Sequence, residues 1–529
     1  KRSPQRRPIV TVHISLETEI CLAGPVTLSA LKAWPALKGI APKRQQLNAV
    51  YFDTPRFDLA RSRAGLRLRR ESGYWVQTLK TELNDGVRQE WTHRHPRMVA
   101  GQLPAISPLG LPHTKAEQAK CAKALNLALA QPEQLEPKFS VEVRRTTWVF
   151  RQGRSTIELA LDLGHIQASN QQSTVIQEVE LELKSGQEKD LWIALKDLVV
   201  HLGPGFQIEP RSKAQRGYGL WQDKFLRPSK ASVELAKRTE PSQTMRAHLR
   251  SAITELVQWV QMVQVSDDPE GIHQSRVNLR RIRTVLKLLR MVTPSPQLTE
   301  LNIRTGQLAS RLGELRNLDV TLERFWSPMV GALPNDEHLL IANRSVSTAQ
   351  AELRAEIRRD LLTPPIVQLI CDLQVFGLHL QLPSHITRPA NTTPSHSSES
   401  LAEGPAPSSE LVVSPVETKT IGEFLFGRLR KRLKKLAELA KTQEEARHRL
   451  RLAYKAMRYA SPILADLGVK ARFERLSKEA AREQERLGDE QDRAVALETI
   501  AKAFASGRVE PSRAEYCLAV MRGFLAAPR

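Results

Sequence analysis

Cysteine is scarce in this chain: four thiols in 529 residues, at Cys21, Cys121, Cys371 and Cys517. They lie far apart, without the short paired spacing of a zinc or dithiol motif. This excludes a disulfide scaffold and points to free thiols in a reducing compartment. Aromatic residues make up 5%, which argues against a base-stacking platform for single-stranded nucleic acid. No run of about 18 apolar residues occurs, so no membrane span is expected. The basic opening KRSPQRRPIV is not followed by the apolar core of a signal peptide, so the expected location is cytoplasmic. Negative charge is also short: 57 Asp and Glu against 79 Lys and Arg give a formal net charge of +22. Such an excess favours polyanionic partners, whether nucleic acid, an anionic membrane surface or a polyphosphate-like ligand.

What is present divides into two regimes. From Ile9 to about Leu226, short segments alternate apolar and polar residues, the period of β-strands. They are 9–22, 47–54, 65–71, 74–80, 87–93, 138–150, 156–164 and 175–186, with a helical period over 191–202. Turn residues such as Asn84-Asp85-Gly86 and Ser185-Gly186 punctuate them. Many evenly spaced antiparallel strands predict a closed barrel or a sandwich. From about Pro241 the period becomes 3.6 and helices are expected to the end. One Ser-, Pro- and Thr-rich stretch, 384–419, is expected to be a disordered insert. The segments 273–289 and 448–464 resemble each other on either side of it, as do LGELRNLDV (312–320) and LGDEQD (487–492). Such an internal duplication predicts two related helical bundles.

The strand faces carry charge repeatedly. Glu17, Glu19 and Cys21 share a face; Arg67 and Arg69 alternate with Leu66 and Leu68; Lys80 ends the next strand. Glu158 and Asp162 alternate with Leu159 and Leu161, and Glu178, Glu180 and Glu182 with Val179, Leu181 and Leu183. A single such face is ordinarily a wetted surface. Acidic and basic strands in one closed sheet would instead face a common lumen. There carboxylates suit Mg²⁺ or Mn²⁺ as hard oxygen ligands, and Arg and Lys suit phosphate oxygens.

In order along the chain, LETEICL, VYFDT, GLRLR, TLK, RQE, TIELALDLG, QEVELEL and RSKAQRGY resemble the CYTH family, the triphosphate tunnel metalloenzymes. The resemblance implies an antiparallel β-barrel tunnel over residues 9–225. Within it Glu17, Glu19, Glu90, Asp162, Glu178, Glu180 and Glu182 are implied metal-side carboxylates. Arg67, Arg69, Lys80, Arg145, Lys213 and Arg216 are the implied triphosphate cradle. Glu17, Glu19, Lys80 and Glu90 are the implied catalytic set, in metal-assisted hydrolysis of inorganic triphosphate. Family members also include thiamine triphosphatases and adenylate cyclases. One position departs: the family pattern Glu-x-Glu-x-Lys reads Glu17-Thr18-Glu19-Ile20-Cys21 here. A neutral thiol supplies no cation. The departure leaves three readings: a slower enzyme, an altered substrate, or a tunnel that binds without turnover.

In the helical half, His273, Arg276, Arg280, Arg283 and Lys287 step by three or four residues, with Arg281 beside them; this spacing lines one helix face. His448, Arg451, Lys455 and Arg458 repeat the spacing. A lone basic face is usually solvated, but two copies with matching offsets suggest a binding face. The interleaving residues are Leu, Val and Ile, and no zinc-finger or helix-turn-helix signature accompanies them, which argues against nucleic acid. These two segments and LGELRNLD resemble the CHAD family. That resemblance implies a pair of four-helix bundles, here 243–383 and 420–525 after a linker at 226–242, which bind polyphosphate through these residues, in some members at polyphosphate granules. The expected whole is an α+β protein resembling bacterial CYTH–CHAD inorganic triphosphatases. Its rival is a non-catalytic polyphosphate-binding protein with a degenerate tunnel.

Overall fold

The computed structural model describes residues 13–71, 74–82, 88–95, 134–222, 239–382, 418–469, 488–505 and 509–526, with isolated positions between them. Among the described residues the first half is one antiparallel sheet of ten strands. They are β1 (His13–Glu17), β2 (Glu19–Ala23), β3 (Lys43–Asp53), β4 (Ala64–Glu71), β5 (Tyr74–Glu82), β6 (Arg88–His95), β7 (Glu136–Gln152), β8 (Ser155–Ala168), β9 (Ser173–Ser185) and β10 (Gln207–Ile208). Their order is β1-β6-β5-β4-β3-β7-β8-β9-β2-β10. The expected closed barrel is corrected here, because the hydrogen-bonded ladder has two ends. β1 pairs with β6 and β2 with β9, and the single residue Thr18 joins them. The sheet therefore wraps a tunnel whose ends meet through the chain.

Alternation sorts the strand residues inside out relative to a filled barrel. Leu66 and Leu68, Ile157, Leu159 and Leu161, and Val179 and Leu181 are buried on the outer face. Their neighbours Arg67 and Arg69, Glu158 and Asp162, and Glu178, Glu180 and Glu182 line the lumen. Helices cover part of the outer face: α1 (Leu28–Ala33), the short α2 (Asp58–Arg61) and α3 (Glu188–Leu202). Leu191, Leu195, Leu198 and Val199 of α3 join Leu31, Trp34, Leu159 and Leu181 in one apolar core. A last helix, α4 (Lys213–Gly219), enters the lumen side. Ser212 and Gln215 close a reciprocal capping box at its start, satisfying two of its otherwise unpaired donors. Gly217 lies flat against Phe139, where a Cβ would collide with the ring. Only glycine lets α4 approach β7 so closely.

The helical half comprises α5 (Pro241–Val265), α6 (Pro269–Val292), α7 (Pro296–Thr321), α8 (Ser327–Ala332), α9 (Glu337–Leu361), α10 (Pro364–Leu378), α11 (Thr418–Leu439), α12 (Glu444–Leu464), α13 (Gly488–Ala505) and α14 (Pro511–Ala526). The expected insert lies outside the described residues except for Thr418 and Lys419, which open α11. The two bundles share cores rather than standing apart. Ile421, Leu425, Met457 and Ile463 of the second half pack with Leu279, Leu286 and Leu312 of the first. Trp326, Leu339 and Val346 pack with Ile500, Phe504 and Met521. The sheet and helical halves meet where α3 packs on α10. There Asp372 accepts from Lys196 at 2.6 Å and from Arg304 at 2.7 Å.

Candidate functional site

Strand register builds the tunnel's chemistry row by row. One row runs Ala23, Glu178, Asp162, Arg145 and Gln45 across β2, β9, β8, β7 and β3. The next places Cys21 opposite Glu180 and Glu180 opposite Ala160; a third places Glu19 opposite Glu182 and Glu182 opposite Glu158. The lumen so lined is a cavity of about 580 Å³.

At its centre Asp162 and Glu178 are 0% and 1% exposed, a costly placement for carboxylates without compensation. The compensation is specific. Arg145 donates from Nε and Nη2 to Asp162 at 2.7 and 2.6 Å, and its Nη2 also meets Glu180. Lys213 reaches Asp162 at 2.8 Å and Glu178 and Glu180 at 2.5 Å each. Arg216, one turn along α4, lies 2.6 Å from Glu178. Burial opposes the charge on Lys213, but Glu180, Glu178 and Asp162 outweigh it and raise its pKa well above the ordinary lysine value. Burial likewise works against the Glu180 carboxylate, yet Lys213 and Arg145 hold its pKa well below the usual range.

Asp162, Glu178 and Glu180 each offer an oxygen within 4.8 Å of the others. Both Glu178 oxygens are buried, one in an ion pair with Lys213 and the other in one with Arg216. An all-oxygen set of three carboxylates fits a hard divalent ion. The other implied metal ligands are not in this triad. Glu182 pairs with Lys184 at 2.7 Å. Glu90 sits opposite Lys80 on the β5–β6 side, 2.9 Å from its ammonium. Glu19 lines the cavity. Glu17 lies in β1 opposite Arg88, with its side chain outside the described residues.

Arg67, Arg69, Lys80, Arg145, Lys213 and Arg216, the implied cradle, all line the lumen. Burial pulls the Arg67 pKa down, but Tyr51 and Glu90 outweigh it and the net shift is upward. Arg69 donates from Nε to Glu71 at 2.6 Å; burial and then Arg67 lower its pKa. Tyr51 was not singled out from sequence. Its signal was its place in VYFDT, on the same strand face as Ala49 and Leu47. Burial, followed by Glu178 and Glu180, pushes the Cys21 thiol well above its ordinary pKa. Cys21 is therefore a neutral group beside the triad, neither cation nor thiolate.

In the helical half, α6 and α12 pack together. Arg276 feels Arg280 and Arg316, and Lys455 feels Arg451 and Arg280, as mutual repulsion. Burial first, and these neighbours next, push Arg276 down to about 10 and Lys455 down to about 8. Tyr459 accepts from Arg280 and Arg458, and these contacts outweigh burial and lower its pKa. Burial and Arg316 also lower the His273 pKa. Arg276 Nη1 donates to the Ala309 carbonyl at 2.6 Å, and Gly313 leaves room for its guanidinium. Arg316, missed from sequence, sits in the LGELRNLDV segment that the sequence marks as a motif. Asp492 tempers the cluster, meeting Arg451 at 3.2 Å.

Arg281 is placed differently from its neighbours. It turns into the bundle, 2.9 Å from Glu255, and donates to Ser251 at 3.0 Å and Asn278 at 2.7 Å. One residue on from Arg280 is about 100° around the helix, which takes it off the stripe. Arg283 packs on Gly306 of α7. Lys287 neighbours Arg283 and Arg432, and Arg458 is exposed. The His448 side chain lies outside the described residues.

Residues 17–218 match the CYTH domain family and residues 247–501 the CHAD domain family. An inorganic triphosphatase of Haemophilus influenzae is 34% identical over 185 residues, covering 34% of this chain and 47% of that protein. The chain thus spans about half the length of this curated relative. The CHAD domain of the plant Ricinus communis is similar over 57% of this chain and 98% of its own, at 22% identity and a TM-score of 0.41. The Hippeastrum protein HpAC1, reported with a dominant triphosphatase activity, is similar over 40% of this chain and 98% of its own, at 17% identity and a TM-score of 0.26.

Proposed function

On a chain that carries a CYTH domain followed by a CHAD domain, we propose that the tunnel hydrolyses inorganic triphosphate with Mg²⁺ or Mn²⁺ and that the basic helices bind polyphosphate. One observation carries the first part: three carboxylates able to converge on an ion are interleaved with Lys213, Arg145 and Arg216 on the lumen. A bound divalent ion would offset phosphate charge and lower the pKa of a water. Asp162, Glu178 and Glu180 would hold it. Lys213, Arg145 and Arg216 then exchange carboxylate partners for phosphate oxygens, while Arg67, Arg69 and Lys80 donate from the opposite wall. Such preset donors act on the charge that builds on the transferred phosphoryl group.

The neutral Cys21 favours a second reading, a tunnel that binds without turnover. Phosphate release from triphosphate, thiamine triphosphate, ATP and long polyphosphate decides between them. The enzyme reading expects metal-dependent release that Glu180→Gln and Arg69→Ala abolish. No release with any divalent ion leaves the binding-only reading. For the helical half, repulsion among Arg276, Arg280, Arg316, Arg451 and Lys455 is relieved by a polyanion. Polyphosphate is expected to outcompete DNA of equal charge at moderate salt, and the reverse order would overturn this assignment.

A further inference from the structure

The sheet does not line the tunnel alone. Arg250, Thr254, Val257 and Gln258 of α5 and Gln374 of α10 belong to the cavity wall, together with Glu188 and Trp192 of α3. The four α5 residues recur at i, i+4, i+7 and i+8, which is one helix face, and α5 packs on β10 beside the lumen. The second domain thus contributes a polar patch to the first domain's cavity.

The patch differs from the tunnel centre. Arg145, Lys213 and Arg216 are each held by carboxylates, whereas Arg250 is exposed and has no ion-pair partner among the described residues. Gln258 Oε1 is buried without a hydrogen-bond partner, and reversing its amide turns a donor to the same place. A cavity of about 580 Å³ falls in the size class that encloses drug-sized ligands, roomier than triphosphate requires.

We propose that Arg250, with Gln258 and Thr254, forms a subsite for phosphate units beyond the third of a linear chain, so that the helical domain sets the chain-length preference of the tunnel. The idea rests on the proposed triphosphate site. An exposed guanidinium presents paired donors to phosphate oxygens, and the neutral amide and hydroxyl add donors without adding charge.

The test titrates tripolyphosphate and linear tetrapolyphosphate calorimetrically into the full chain with Mg²⁺, for wild type, Arg250→Ala and Arg250→Lys, alongside phosphate release. Losing one charge-assisted hydrogen bond is expected to lower the tetra-to-tri affinity ratio at least about tenfold in Arg250→Ala, with partial recovery in Arg250→Lys. A ratio that does not move overturns the subsite. If wild type binds both chains but releases no phosphate, hydrolysis fails while the ratio still decides the subsite. If it binds neither, both fall.

Discussion

Arg145 and Asp162 are register partners across β7 and β8, and they close a two-pronged pair with Nε–Oδ1 at 2.7 Å and Nη2–Oδ2 at 2.6 Å. A planar fork meeting a fully buried carboxylate fixes both side chains. Their neighbours Lys213 and Glu180 lean on the same pair. The tunnel's polar interior is thus as ordered as an apolar core.

That order has a stability consequence. Asp162→Ala leaves Arg145 and Lys213 without their most buried partner, and breaking a buried pair costs about 3–5 kcal/mol. Urea unfolding of the full chain should show a loss of that size in the transition that reports the tunnel domain. A change below about 1 kcal/mol would mean that water compensates the pair.

Ion binding should depend on the buried triad and not on Glu182. Glu178→Gln removes one charge from the set formed with Asp162 and Glu180; Glu182 is engaged with Lys184. Mn²⁺ titration followed by electron paramagnetic resonance is expected to show at least about tenfold weaker binding in Glu178→Gln than in Glu182→Gln. Equal weakening would move the site toward the Glu19 row.

Lys455 predicts a pH effect. Its pKa is about 8, against 10.5 for an ordinary lysine. Folding therefore penalises the charged form: the penalty is complete below about pH 8 and is relieved as pH rises towards 10.5. Arg451, Arg280 and Arg458 press on the group, and Asp492 opposes them. Polyphosphate favours the protonated form, so binding near pH 9 should take up a proton. Calorimetry in two buffers of different ionisation enthalpy measures the uptake, which should fall markedly in Lys455→Met. Identical heats in both buffers for wild type would contradict the assignment.

Cys21 should be chemically quiet. A half-buried thiol on the lumen, its pKa raised by desolvation and by Glu178 and Glu180, is neither nucleophile nor ready alkylation target. Cys21→Ser is expected to hold phosphate release within about twofold of wild type, and iodoacetamide at pH 8 should leave Cys21 unlabelled by mass spectrometry. A tenfold loss of release, or rapid labelling, would make the thiol a participant.

Much of this was legible in the residue order. Leu66, Arg67, Leu68 and Arg69 announce both a strand and which side faces the lumen, because period-two alternation ties face to register. Glu178, Glu180 and Glu182 did the same for β9. What alternation cannot supply is which lumen residues meet. Glu182 shares a face with Glu178 yet lies two rows away, at the level of Glu19 and Glu158. The seam at Thr18 was hidden because alternation continues through it while the pairing partner changes. The first residues of β3, Lys43 to Gln46, are polar and exposed, so no apolar period marked them. Arg281 and Arg283 look alike in sequence, and only the helix angle separates them. Arg250 carried no signal, since its place depends on one domain packing against another.

The Thr18 seam has a mechanical meaning. Elsewhere around the tunnel, widening the bore means breaking rungs between paired strands. Where β1 hands over to β2, the perimeter is carried by one residue's backbone rotations, with its carbonyl tethered to Leu183 N at 3.0 Å. The tunnel resembles a split ring joined by a single pin beside Glu19, whereas the wall that holds Asp162 and Arg145 is paired rung by rung.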